Sequence, residues 1–184
     1  FVAELLAGIY SGSLSMISDS LHLSLHILVS LIAVASEYKF LGFSSTNIKF
    51  WTAVINISLF FPLAFAIAYE ANERLQNPPS LDLTSVFFVV AVAGFIANIY
   101  TIKILHTGHG EERSENKNRL YLYIHMVVDA LGSVIVIVGG ALISLTGLYL
   151  VDPIASLILA GLIFIGAITM LWKLFYGHKC NHIH

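Results

Sequence analysis

Charge is what this sequence has least of. Asp, Glu, Lys and Arg make up 11% of the 184 residues, where a soluble domain carries roughly 25%. That is too little polar sequence to cover a surface facing water, which excludes an ordinary soluble enzyme. Nine Lys and Arg stand against eleven Asp and Glu, so there is no basic face for nucleic acid. A single Cys excludes a disulfide scaffold. Strict apolar–polar alternation is missing too, which excludes transmembrane strands. The chain opens at Phe1 with no readable signal peptide, and its first helix reads as clipped.

What is present in excess is apolar sequence: 58% of residues, with a mean hydropathy of +0.86. Runs near 20 residues predict helices that cross a bilayer. They fall at about 1–10, 14–34, 50–69, 86–105, 120–145 and 153–175. The predicted fold is therefore an all-α membrane protein, a six-helix transmembrane bundle occupying 1–176, followed by a cytoplasmic His/Cys tail at 177–184. Ser11-Gly12-Ser13 and Asn77-Pro78-Pro79-Ser80 read as turns. Gly8 and Gly12 form a small-xxx-small pair on the first helix, a packing signal. Eight of the nine basic residues fall in the loops on one side and in the tail, and only Arg74 falls on the other. Basic loops stay inside, so this split predicts a multi-pass protein with both termini cytoplasmic.

Two of the apolar runs carry ionisable pairs. Run two holds His22 and His26, and run five holds His125 and Asp129. A spacing of four puts each pair on one helix face, one turn apart. A lone His in a bundle is usually interhelical glue, but three His and an Asp at matched spacing in two runs need a stronger reason. Such groups at membrane depth cost roughly 2.5–3.5 kcal/mol each on insertion scales and tend to mark a pathway. Facing each other, the four would offer three imidazoles and one carboxylate to one ion, a set suited to Zn²⁺ and, through imidazole, to Co²⁺ or Ni²⁺.

Other polar residues are accessory. Asp19 shares the face of His22; it reads either as an N-terminal cap of its helix, the preferred reading, or as a vestibule carboxylate. Glu4 lies deep in the first helix and faces the same cavity or an unidentified partner. Asn98, one turn after Gly94, reads as an interhelical hydrogen-bonding group. His106 and His109 in the loop, and His178, Cys180, His182 and His184 in the tail, are candidates for cytoplasmic metal capture, since His-rich tracts bind metals. The competing bland reading is ordinary polar usage at a loop and a frayed end.

At these residues the chain resembles the cation diffusion facilitator family of zinc transporters. The likeness runs through Glu4, Ser13-Leu-Ser-Met-Ile-Ser-Asp19-Ser-Leu-His22, Gly94-Phe-Ile-Ala-Asn98, His125-Met-Val-Val-Asp129-Ala-Leu-Gly-Ser133 and Asp152-Pro-Ile-Ala-Ser156, and it covers nearly the whole chain in order. It implies a secondary transporter that moves divalent metal (Zn²⁺ first, with Co²⁺, Ni²⁺ or Cd²⁺ as alternatives) out of the cytoplasm in exchange for protons. The metal is cargo, and no cofactor is implied. Two ligands from each of two helices would hold it, at His22, His26, His125 and Asp129. A homodimer is expected, in a cell (inner) membrane rather than an organelle membrane.

Three departures stand out. His26 occupies a position that is usually Asp, the first helix lacks its first half, and the usual C-terminal cytoplasmic domain does not follow the last helix. The alternative function is a membrane metal-binding receptor or scaffold without transport. An intramembrane metalloprotease would need a His-Glu-x-x-His motif, and no Glu stands between His22 and His26. A channel would spread weak sites along a pore rather than gather four ligands at one level.

Overall fold

The computed structural model describes residues 1–37, 46–107 and 116–180, and every regular element among them is a helix. In order these are α1 (Val2–Ser11), α2 (Leu14–Glu37), α3 (Thr46–Ser58), α4 (Phe60–Gln76), α5 (Ser85–Thr107), α6 (Asn116–Thr146) and α7 (Val151–Cys180). Four stretches are long and apolar enough to cross a membrane: Ala53–Gln76, Ser85–Lys103, Met126–Thr146 and Val151–Phe175. Val2–Ser11 and Leu14–Val29 are shorter apolar helices.

The run expected as one helix over 50–69 is two, α3 and α4, meeting at Leu59. Pro62 is the physical reason. It has no N–H to donate, and its ring crowds the carbonyl four residues back, that of Ser58. The chain stays nearly helical through the break: Leu59 keeps φ −65° and ψ −21°, and its N–H is shared between the carbonyls of Ile55 at 3.2 Å and Asn56 at 3.3 Å. Several helices also outrun their apolar stretches. α7 continues to Cys180, so residues 177–180, expected as tail, are helical. Hydropathy marks where lipid can lie, and backbone hydrogen bonding need not stop there.

Gly12 does not share a helical face with Gly8, contrary to the small-xxx-small reading. It ends α1 in the left-handed conformation at φ 74°, where glycine has no side chain to clash. Gly8 alone is the close approach: a Cβ there would stand 2.9 Å from Ile17 Cγ1 and 3.0 Å from the Ile17 nitrogen.

The helices pack with polarity reversed from that of a soluble protein. Apolar side chains such as Leu6, Phe65, Val89, Ile96 and Trp172 are exposed, whereas Glu4, Ser13, Ser18, Ser133 and Asp152 are buried. Buried hydroxyls bond to their own helix, as Ser18 donates to Leu14 O at 2.6 Å and Ser20 to Ile17 O at 2.8 Å. Two apolar clusters hold the bundle. One joins Ala7, Met16, Phe87, Ala91, Val136 and Leu159, drawn from α1, α2, α5, α6 and α7. The other joins Phe60, Ala64 and Ile67 of α4 to Ala160, Ile163 and Ala167 of α7.

Candidate metal site

The site begins with how α2 is started. Its first turn presents unsatisfied N–H groups, and the carboxylate of Asp152 on α7 takes them. Oδ2 accepts the Leu14 N–H at 2.7 Å, while Oδ1 accepts the Ser15 N–H at 3.1 Å and the hydroxyls of Ser13 and Ser15 at 2.8 and 2.7 Å. Asp152 is 2% exposed. This corrects the reading of Asp19 as the cap: Asp19 lies inside α2, more than a turn past Leu14, and the capping acid comes from a segment far along the chain.

Two turns further along α2, His22 and His26 face α6. Their rings meet edge to face, with centroids 4.4 Å apart and planes at 87°. The Nε2 atoms are 3.1 Å apart, and His22 Nε2 is also 3.1 Å from Asp129 Oδ1. Ligand atoms of His22, His26 and Asp129 all lie within 4.8 Å of one another. Around a tetrahedral Zn²⁺ with bonds near 2.0–2.1 Å, neighbouring ligand atoms stand about 3.3 Å apart. The two separations that involve His22, 3.1 Å each, are close to the spacing one ion requires, and the third lies within 4.8 Å. His22 Nε2 faces a carboxylate oxygen and a second Nε2 at once. One ring hydrogen can serve only one of these contacts, whereas a cation at the centre draws on the lone pairs of all three.

Phe60 walls the site. It opens α4, and its ring lies 4.8 Å from that of His26 and 5.6 Å from that of His22. Nothing in the sequence pattern marked it; the only nearby signal was Pro62, which sets the break that aims it.

Beside the triad runs a second polar line. Asn98 on α5 donates to Ser133 Oγ at 2.9 Å, and Ser133 on α6 donates to Asp19 Oδ2 at 3.1 Å. Glu4 of α1, 7% exposed, lines the same cleft with Asp19 and Ser133. Small residues seat both acids. A Cβ at Gly132 would stand 3.0 Å from Asp19 Oδ1, and one at Gly94 would overlap the Glu4 carboxylate. The structure therefore links Asn98 to Asp19 through Ser133 and puts Glu4 in the same cleft. Ser133 is the member the sequence did not single out, although it ends the segment beginning at His125.

His125 lies on α6 four residues before Asp129, and its side chain is outside the described residues. The same holds for His106 at the end of α5 and for His178 and Cys180 at the end of α7. His109, His182 and His184 lie wholly outside the described residues.

Comparison with known proteins gives this geometry a context. Residues 1–177 match the family model described as the cation efflux transmembrane domain. The metal cation efflux system protein CzcD of Cupriavidus metallidurans is 36% identical over 168 residues, which are 88% of this chain and 51% of that protein. A cadmium, cobalt and zinc/H(+)-K(+) antiporter of Bacillus subtilis is 32% identical over 174 residues, 88% of this chain and 53% of that protein. The probable zinc transporter MSC2 of Saccharomyces cerevisiae is 33% identical over 180 residues, 91% of this chain and 24% of that protein. The chain spans about half the length of the two bacterial relatives and a smaller part of the yeast one.

Proposed function

We propose that this chain, which belongs to the cation efflux family and carries its transmembrane domain over residues 1–177, moves a divalent transition metal out of the cytoplasm in exchange for protons. The observation that carries the proposal is the convergence of His22, His26 and Asp129, from two helices, to within 4.8 Å inside a bundle whose outer faces are apolar. His125, one turn from Asp129, is the fourth ligand in this reading. Zn²⁺ is the preferred cargo, with Co²⁺, Ni²⁺ and Cd²⁺ as further substrates. The names of the relatives include zinc, cadmium and cobalt, which supports those three; Ni²⁺ rests on the imidazole ligands alone.

Imidazole binds metal only when neutral, so protons and metal compete for the same nitrogens near neutral pH. In alternating access the inward-open site takes metal from the cytoplasm. In the outward-open form protons displace it, and the protonated ligands return. Asp19, Glu4 and Asn98 flank this exchange as accessory groups. His106, His109, His178, Cys180, His182 and His184 gather metal on the cytoplasmic side. Both termini lie in the cytoplasm, the membrane is a cell (inner) membrane, and two copies of the chain assemble as a homodimer.

The test is metal-dependent proton flux in proteoliposomes of the full chain. Zn²⁺ entry should move protons the other way, and His22→Ala or Asp129→Ala should abolish both fluxes. Metal bound tightly with no flux in either direction would leave a receptor, not a transporter.

A further inference from the structure

We propose that Phe60 determines which cations the site takes, by holding the coordination number at four. This rests on the proposed reading of His22, His26, His125 and Asp129 as metal ligands. Phe60 is 3% exposed and touches both imidazoles. Its planes make angles of 65° with His22 and 40° with His26. The ring thus lies against both side chains that bring their Nε2 atoms together, and it takes up space beside the ligand cluster that a further ligand would need. It offers no lone pair to an ion and presents an apolar surface to any water beside it. It also fixes the turn of both imidazoles, so that the Nε2 atoms meet each other and Asp129.

Phe60 is itself held rigidly. It packs with Ala64 and Ile67 on its own helix and with Ala160, Ile163 and Ala167 of α7. The break at Leu59 sets the direction in which it leaves the backbone. Ions differ in how they answer such a wall. Zn²⁺ and Co²⁺ accept four ligands of mixed nitrogen and oxygen. Mg²⁺ keeps an octahedral shell with several waters, and Mn²⁺ suits carboxylate and water ligands. An apolar wall that supplies no ligand and disfavours water therefore penalises Mg²⁺ and Mn²⁺ selectively. Phe60 is a positioning and specificity residue rather than a ligand.

Co²⁺ is the probe. Four-coordinate Co²⁺ lacks an inversion centre and absorbs visible light strongly, whereas six-coordinate Co²⁺ absorbs weakly. The purified full chain with Co²⁺ should show the intense bands. Phe60→Ala should lose them, keep bound Co²⁺ by equilibrium dialysis, and let Mn²⁺ displace Co²⁺ at lower concentration. Phe60→Leu, which restores apolar volume, should recover both the bands and the discrimination against Mn²⁺. A folded Phe60→Ala protein with the parent's spectrum and the parent's Mn²⁺ competition overturns the proposal and leaves the metal site standing. If Phe60→Ala is not recovered folded, Phe60→Val takes its place, with unchanged bands again the overturning result. No Co²⁺ binding in the parent would instead bring down the metal-site reading itself.

Discussion

His26 is the residue on which the chemistry of the site turns. On the proposed set of three imidazoles and one carboxylate, a bound divalent complex would keep a charge near +1, and a second carboxylate in place of an imidazole would neutralise it. His26→Asp should therefore keep transport and shift preference toward harder ions such as Mn²⁺, read as relative uptake in competition assays. His26→Ala should lower Zn²⁺ affinity strongly, measured by titration calorimetry. Affinity equal to the parent's would make position 26 a packing residue. Ser133 gives a second residue-scale prediction. It relays a hydrogen bond from Asn98 to Asp19, and Ser133→Ala takes that partner from both groups in a partly buried place. The expected loss is about 1–3 kcal/mol of stability, seen as a lower melting temperature in detergent. The ligand candidates were legible because His and Asp are conspicuous in apolar sequence. Phe60 was not, because one aromatic among twelve Phe carries no pattern until the backbone shows where it points.

Among the elements, α2 owes its start to a residue 138 positions away in the chain. Asp152→Ala removes the acceptor of four bonds and leaves the N–H groups of Leu14 and Ser15 without it in a buried turn. A cap is worth about 1 kcal/mol and a charge-assisted bond about 1.5–3. The variant should be destabilised by at least about 2 kcal/mol, with Asp152→Asn intermediate because it keeps one carbonyl acceptor. Guanidine or thermal unfolding in mild detergent checks the order. Equal stability of the two variants would deny the carboxylate its role. Element existence was readable from the apolar runs. What was not readable was long-range: local rules offered Asp19 as the cap, because an Asp near a helix start is the usual solution and a partner from α7 leaves no local mark. Hydropathy does not mark the break at Leu59, and Pro62 alone does not either, because Pro is tolerated in membrane helices.

For the whole molecule, the reversal of polarity is the main physical fact. Many large apolar side chains face outward while Glu4, Asp152, Ser13, Ser15, Ser18 and Ser20 are buried, as a bilayer favours. The eight-to-one division of basic residues sets the expected orientation. With Cys180 replaced by Ser, a cysteine introduced at Asp82 should react with an impermeant reagent in intact cells, and one at Lys117 should not. Reaction at 117 alone would reverse the direction of transport. Family membership and the all-helical class were legible from composition and motif order. The way the bundle is assembled was not, since α4 with α7 and α5 with α6 are pairings that no single run encodes.

The bonds from Asp152 to the first turn of α2 also give that helix a fulcrum. Any tilt of α2 that leaves those bonds intact pivots at Leu14. At 1.5 Å per residue, His22 lies about 12 Å from the pivot and Val34 about 30 Å. A swing that shifts the imidazole of His22 by about 1 Å therefore carries the far end of the helix by about 2.5 Å. Adjusting the ligands to fit an ion and displacing the opposite end of α2 become one motion of a lever.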